Sequence, residues 1–307
     1  MHTSAISIKN LNKVYRGKDG KDFSALKDLN LEIPKGSSCA LLGPNGSGKS
    51  TLINILAGSV LKTSGSVSVA GYDLDTNPKM VKQSLGVVPQ ELILNVFLSV
   101  YDSLEIYGGC YGIRSKDRKT EEIIKILDLT DKRSATAREL SGGMKRRVLV
   151  GKALVHDPLV LILDEPTAGV DIELREKLWK HVKTLNEEGK TIILTTHYLE
   201  EAQTLCDYFI FINKGKIIAQ KSRDDLCGYL SSRRVIVQCA KKLESVPEYL
   251  SQYLCQLEDD GYDLNFTCAA SVLQNILEQL FLDKSVEIKD LQVTPSDLET
   301  IFRSLMQ

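Results

Sequence analysis

The amino-acid sequence predicts an α/β fold built on a parallel sheet, and three stretches carry that prediction. Leu41-Leu42-Gly43-Pro44-Asn45-Gly46-Ser47-Gly48-Lys49-Ser50-Thr51 is a glycine-rich loop between a short apolar run, Ser38 to Leu42, and a helical segment, Ser50 to Ala57. Leu159 to Leu163 is a run of aliphatics that ends in Asp164-Glu165-Pro166, the mark of a strand buried on both faces with chemistry at its carboxyl end. A helical pattern from Ile172 to Asn186, a stop at Gly189 and a strand from Thr191 to Thr196 repeat the alternation.

The other elements follow in order. Ile6 to Leu11 alternates like a half-buried strand, and Leu26 to Ile33 alternates again before the Pro34-Lys35-Gly36 turn, so a small antiparallel sheet is expected. The turn Thr63-Ser64-Gly65-Ser66 leads into another alternating strand, Val67 to Gly71. Leu85 to Val88 is an apolar run that stops at Pro89-Gln90. From Ser99 to Arg138 the pattern turns helical, with Leu104, Tyr107 and Tyr111 on one face and Ile123, Ile124, Leu127 and Leu129 in a second segment. Leu140-Ser141-Gly142-Gly143-Met144 then opens a helix whose Lys145, Arg146 and Arg147 read as a solvated face. Tyr208 to Ile212 and Lys216 to Ala219 flank Asn213-Lys214-Gly215 as a hairpin.

The first unit is expected to occupy 1–224, with a helical subdomain at about 91–156. A small α+β domain is expected over 225–307. Its strands are Arg234 to Gln238, Asp263 to Thr267 and Val286 to Ile288, with a helix from Ser271 to Leu282 and a terminal helix from about Ser296. Leu277, Leu280 and Phe281 read as its core.

Composition narrows the class. The chain has 307 residues, 43% of them hydrophobic and 26% charged, which suits a soluble protein of two domains. Lysine plus arginine (39) nearly cancels aspartate plus glutamate (40), so no overall field draws the chain to nucleic acid, and no nucleic-acid partner is expected. Seven cysteines, scattered and never spaced C-x-x-C, point to reduced thiols in a cytosolic protein. The N-terminus lacks a basic segment followed by a long apolar one, so no signal peptide is expected. The longest apolar runs fall far short of the roughly 20 residues that span a bilayer.

Gly43 to Ser50 fits G-x-x-x-x-G-K-[ST] in the strand–loop–helix context that pattern needs. Glycines without a Cβ let backbone N–H groups turn inward on a polyphosphate, and the helix N-terminus adds positive partial charge. Lys49 would reach the β and γ phosphates, and the Ser50 hydroxyl would ligate Mg2+. Asp164 is placed to hold Mg2+ directly or through water, Glu165 to polarise an attacking water, and His197 to orient it. Each carboxylate or imidazole taken alone reads as a solvated strand end or a satisfied core residue; beside a phosphate loop they form a hydrolytic set. Tyr15, near a polar loop through Gly20, either stacks on a nucleotide base or packs on its strand.

In this order, these residues resemble the ATP-binding cassette (ABC) family over about residues 6 to 220. The resemblance implies a phosphate-loop NTPase fold with an antiparallel β subdomain and a helical subdomain. It makes Gly43 to Ser50 the Walker A motif, Gln90 the Q-loop glutamine, Leu140 to Met144 the signature motif, and Val160 to Asp164 Walker B with Glu165 as catalytic glutamate. Ala168-Gly169-Val170-Asp171 resembles the D-loop, His197 the switch histidine and Tyr15 the adenine-stacking aromatic. Catalysis is then expected at Glu165, His197 and Gln90, and Mg2+ at Ser50, Gln90 and Asp164. ATP is expected at Tyr15, at Gly43, Pro44, Asn45, Gly46, Ser47, Gly48, Lys49, Ser50 and Thr51, and at Ser141, Gly142 and Gly143. Met144 stands where the family most often has glutamine, a departure of small expected effect.

The resemblance further implies a dimer in which the signature motif of one cassette closes over ATP held by the Walker A of another. A homodimer would have two competent sites. One cassette without a transmembrane segment resembles the detached nucleotide-binding subunit of a transporter, on the cytoplasmic face of the inner or plasma membrane, paired with a separate polytopic permease of the type-2 export kind. Asp164 to Asp171 and the closing Thr294 to Phe302 look most like the multidrug-export branch related to daunorubicin-resistance ATPases. Leu92, Ile93, Leu94, Val96 and Phe97 either dock that partner or pack the helical insertion. The competing expectation is a soluble regulatory ATPase whose C-terminal domain binds a protein or small effector. The transported substrate is not legible, because the membrane subunit contacts it.

Overall fold

Alternating apolar residues set the first sheet. In the computed structural model, which describes residues 4–17, 20–167, 172–196, 198–230, 232–253, 255–258 and 260–295, β1 (Ser4–Arg16) pairs antiparallel with β2 (Asp22–Pro34). Ile6, Ile8 and Leu11 from one strand and Leu29, Leu31 and Ile33 from the other are buried on the same side. β3 (Ser38–Leu42) is buried at every residue and runs into α1 (Lys49–Leu56). β4 (Ser64–Val69) and β5 (Tyr72–Asp73) complete the antiparallel sheet in the order β2-β1-β4-β5.

α2 (Pro78–Ser84) and β6 (Leu85–Val88) precede the helical insertion, formed by α3 (Val100–Cys110), α4 (Thr120–Ile126) and α5 (Gly142–Leu154). Ser99 caps α3 by accepting the Asp102 N–H at 3.0 Å, which satisfies one of the helix's orphan donors. Ile123, Ile124, Leu127 and Leu129 are buried. The expected single face of α3 is divided, however. Leu104 is fully buried, whereas Tyr107 is exposed and Tyr111 stacks on His156 with ring centroids 3.7 Å apart.

The chain then alternates through β7 (Val160–Asp164), α6 (Ile172–Glu187), β8 (Thr191–Thr195), α7 (Leu199–Leu205), β9 (Tyr208–Asn213) and β10 (Lys216–Ser222). The second sheet has the order β10-β9-β3-β8-β7-β6, with parallel pairing from β9 across to β6. Leu161, Ile162 and Leu163 have no exposed surface, and burying each contributes about 1.5–3 kcal/mol. Lys214 and Gly215 have φ of 47° and 80°, the left-handed pair that a two-residue hairpin turn between β9 and β10 requires. Parallel strands put every carboxyl end on one edge. β3, β6, β7 and β8 therefore deliver their following residues to the same place.

The chain forms two compact units, Met1–Gln220 and Lys221–Gln307. The second contains α8 (Arg223–Leu230), β11 (Ser232–Cys239), β12 (Gln256–Leu257), β13 (Asp263–Ala269), α9 (Leu273–Leu282) and β14 (Ile288–Pro295). Its antiparallel sheet has the order β12-β13-β11-β14, and Val235, Val237, Leu264 and Phe266 pack with Ile276 and Leu280. The strand expected at Val286 to Ile288 begins only at Ile288 and runs to Pro295, while Val286 is a buried loop residue. Phe281, expected in the core, is 66% exposed, because it follows Leu280 on α9 and points to another face. α2, α7, α8 and β12 have no counterpart among the sequence-based expectations. The terminal helix expected from Ser296 lies outside the described residues. Among those residues, no helix is long and apolar enough to cross a membrane.

Candidate functional site

The Gly43 to Ser50 loop turns out of β3 and into α1. Gly46 and Gly48 take φ of 78° and 111°, which residues with a Cβ rarely adopt. At Gly43 the constraint is space: an added Cβ would lie 2.2 Å from the Ile212 carbonyl and 2.6 Å from Ser47 Oγ. Pro44, Asn45 and Gly46 are exposed, Ser47 is buried, and Ser50 opens to solvent beside the half-buried Thr51. α1 begins with no side-chain cap and no acidic residue in its first turn, so its N–H groups and positive end are left for an external anion. This cradle fits the phosphates of ATP.

Lys49 Nζ folds over the loop and donates to the carbonyls of Gly43 at 2.7 Å and Pro44 at 3.2 Å. Burial pulls its ammonium below the ordinary lysine range, opposed by the nearby carboxylates of Glu165 and Asp164. Those carboxylates come from the end of β7. Thr195, fully buried at the end of β8, donates its hydroxyl to Asp164 Oδ1 and accepts the Glu165 N–H at 3.0 Å. Glu165 has φ of 46°, so the turn that re-aims its side chain is held in a left-handed conformation unusual for glutamate.

Gln90, two residues beyond β6, donates from Nε2 to Glu165 Oε2 at 2.8 Å. The structure thus joins Gln90 to Glu165, ties Asp164 to Glu165 through Thr195, and sets Lys49 in the field of both carboxylates. The donor set expected for Mg2+ is the Ser50 hydroxyl, the Asp164 carboxylate and the Gln90 amide oxygen. These are hard oxygens with few carboxylates, the kind Mg2+ takes while keeping waters.

Tyr15 and the signature residues stand on other elements. Tyr15, at the end of β1, is 37% exposed, faces Phe23 across the strand pair, and has Lys13 Nζ 4.6 Å from its ring centroid. Ser141 caps α5, accepting the Met144 N–H at 3.3 Å, and Gly142 follows it with open space around its Cα. This second helix start is also exposed and also lacks an acidic residue in its first turn. His197 and the Ala168 to Asp171 segment lie outside the described residues.

Arg146 overturns the solvated-face expectation for the basic run. It is 3% exposed, and its guanidinium donates to the carbonyls of Pro89 at 2.7 Å and Gln90 at 2.8 Å. Arg147 likewise donates to the carbonyls of Leu127 and Asp128. Helical spacing carried the signal, since Arg146 shares a face with the buried Val150 and Ala153. Arg146 therefore braces the backbone that presents Gln90.

The chain matches the ABC transporter family over residues 26–168. It is 33% identical to the linearmycin resistance ATP-binding protein LnrL of Bacillus subtilis (strain 168), over 98% of this chain and 97% of that protein. It is 32% identical to the Nod factor export ATP-binding protein I of Rhizobium etli, over 99% of this chain and 94% of the relative. Among solved structures it resembles a dimeric post-hydrolysis state of an ATP-binding cassette bound to ADP and Pi, with a TM-score of 0.64 and 28% identity, covering 71% of this chain and 98% of that one. The chain belongs to the ATP-binding cassette (ABC) transporter family and is an ATP-binding ATPase.

Proposed function

We propose that this chain is the ATP-hydrolysing subunit of an exporter, acting as a head-to-tail pair docked on a separate polytopic permease of the type-2 export kind. One observation carries the reading. A single sheet edge gathers the Gly43 to Ser50 loop, Gln90, Asp164 and Glu165, while the Ser141 to Gly143 helix start opens to solvent as a second anion-ready end. The export assignment follows relatives named for linearmycin resistance and Nod factor export that align over nearly the whole chain.

In this reading residues 1–224 carry the chemistry, and 225–307 supply none of the residues named for it. The loop N–H groups and Lys49 hold the phosphates, Tyr15 stacks on adenine, and Ser141, Gly142 and Gly143 of the second copy close the site. Ser50, Asp164 and Gln90 hold Mg2+, which when bound neutralises phosphate charge. Glu165 takes the proton of the attacking water, and His197 orients that water.

The permease is assigned to the helical subdomain, at a groove of about 430 Å³ lined by Lys82, Pro89, Ile93, Tyr107, Tyr111 and Lys152. Ile93 in its lining and Phe97, nearby in sequence, are 69% and 80% exposed, so most of this stretch is not spent on packing the insertion. Docking there would sit one residue from Gln90 and so reach the site through it. The chain would then lie on the cytoplasmic membrane face through its partner.

Light scattering on the Glu165→Gln variant with and without Mg2+ and ATP tests the paired arrangement. A dimer formed only with ATP supports it; a monomer at saturating ATP refutes it.

A further inference from the structure

We propose that Glu201 is a positioning residue for ATP hydrolysis. Its buried carboxylate fastens the segment that follows Glu165 to the backbone on both sides of position 197. The inference rests on the reading of Glu165 as general base.

Glu201 lies in the first turn of α7 and is 1% exposed. Its Oε1 accepts the hydroxyl of Thr167, two residues beyond Glu165, and its Oε2 accepts the hydroxyl of Thr196 at 2.6 Å. Thr196 Oγ1 in turn accepts the Tyr198 N–H at 2.9 Å, so positions 196 and 198 hang from the same carboxylate. Arg175, from α6, brings Nε within 3.6 Å of Oε1 and sets its guanidinium 4.7 Å from the Tyr198 ring centroid.

A carboxylate withdrawn from water this far is costly unless hydrogen bonds and an opposite charge replace its hydration. Here both are supplied, by two threonine hydroxyls and one arginine drawn from three separate segments. Without the carboxylate the buried Thr167 and Thr196 hydroxyls and the Arg175 guanidinium would lose their common acceptor, so the cluster ties its segments together as one unit.

That geometry spans the carboxyl ends of two paired strands. Asp164 of β7 is opposite Thr195 of β8, and the Glu201 clasp takes hold at Thr167, three residues beyond Asp164, and at Thr196, the residue after Thr195. It therefore fixes how the chain leaving β8 sits against the chain leaving Glu165. Reactions that depend on aligning a base, a water and a phosphate lose rate steeply when one partner shifts by about 1 Å.

The test measures kcat and KM for ATP, equilibrium ATP binding and Tm on the full chain carrying Thr167→Val, Thr196→Val, Glu201→Gln or Glu201→Ala. The threonine variants keep side-chain shape, so they report even if Glu201→Ala fails to fold. We expect kcat to fall about tenfold in each threonine variant and about a hundredfold in Glu201→Ala, with KM changed by less than about twofold. Glu201→Gln, which keeps the shape and loses the charge, should fall between these. Glu201→Ala with Thr196→Val should be no slower than Glu201→Ala alone, because the two act as one unit. Folded variants with the parent's kcat, or losses that multiply in the double variant, would overturn the proposal. Glu165→Gln run in parallel separates the claims. Parent-level turnover there removes Glu165 as the base, whereas a dead Glu165→Gln beside full-rate Glu201 and threonine variants removes Glu201 alone.

Discussion

Gln90 and Glu165 share a hydrogen bond of 2.8 Å, from the Gln90 amide to Glu165 Oε2, that joins the segment after β6 to the segment after β7. The bond holds the carboxylate at the carboxyl edge of the sheet, where a base must stand to meet water beside a phosphate bound at the loop. Glu165→Gln removes the proposed base and keeps the shape. We expect kcat for ATP to fall by about 10²–10⁴ with ATP affinity changed by less than about threefold, measured by phosphate release and nucleotide binding. Full turnover would show that another group takes the proton.

Lys49 tests the cradle. Its ammonium spans the Gly43 and Pro44 carbonyls, which hold it over the loop. Removing a charge-assisted contact costs about 1.5–3 kcal/mol, roughly tenfold or more in affinity. Lys49→Ala should therefore weaken ATP binding at least about tenfold in an equilibrium titration.

Arg146→Met should act on stability before it acts on chemistry. The substitution keeps much of the side-chain stem but leaves the Pro89 and Gln90 carbonyls without their donors. We expect a loss of about 2–4 kcal/mol in urea unfolding. Because the freed backbone carries Gln90, turnover of the folded fraction should fall as well. A variant as stable as the parent would show that water replaces the guanidinium.

Glu105 gives the fold a pH signature. The Thr120 hydroxyl, and then the Arg118 guanidinium at 2.7 Å, hold its carboxyl below the usual carboxylate range against the opposing effect of burial. A depressed folded value means that the unfolded chain binds the proton more readily. The stabilisation is thus present above the ordinary carboxylate pKa and is lost as pH falls through the folded value. Glu105→Gln should cost about 1 kcal/mol at neutral pH, a gap that narrows as pH falls below the ordinary glutamate range. Unfolding curves for parent and variant whose separation did not change with pH would contradict this.

The legible parts of the chain were those written in contiguous residues. The Gly43 to Ser50 loop declares its own backbone, and the aliphatic run ending in Asp164 declares both its burial and the carboxyl end where chemistry sits. The partners of the braces were not legible, since each spans a long stretch of chain, even though helical spacing puts Arg146 on a buried face. Arg146 reaches carbonyls 57 and 56 positions away, Thr195 reaches Asp164 across 31, and Glu201 reaches Thr167 across 34. A threonine at a strand end or a glutamate on a helix has no local pattern that predicts such a partner. The division of α3 into a buried Leu104 and groove-facing tyrosines was hidden for the same reason. It depends on where β6 and α5 lie, which helical periodicity along α3 does not encode.

The claim that this ATPase powers a separate membrane subunit is tested most directly by tagging the chain in its native cell, solubilising membranes in mild detergent and identifying what co-purifies. The account predicts one polytopic membrane protein, or a closely related pair, in near-stoichiometric amount, released by Phe97→Asp if the groove face is the dock. A tagged chain that stays in the soluble fraction with no such partner would contradict it and turn attention to a regulatory ATPase with an effector on residues 225–307.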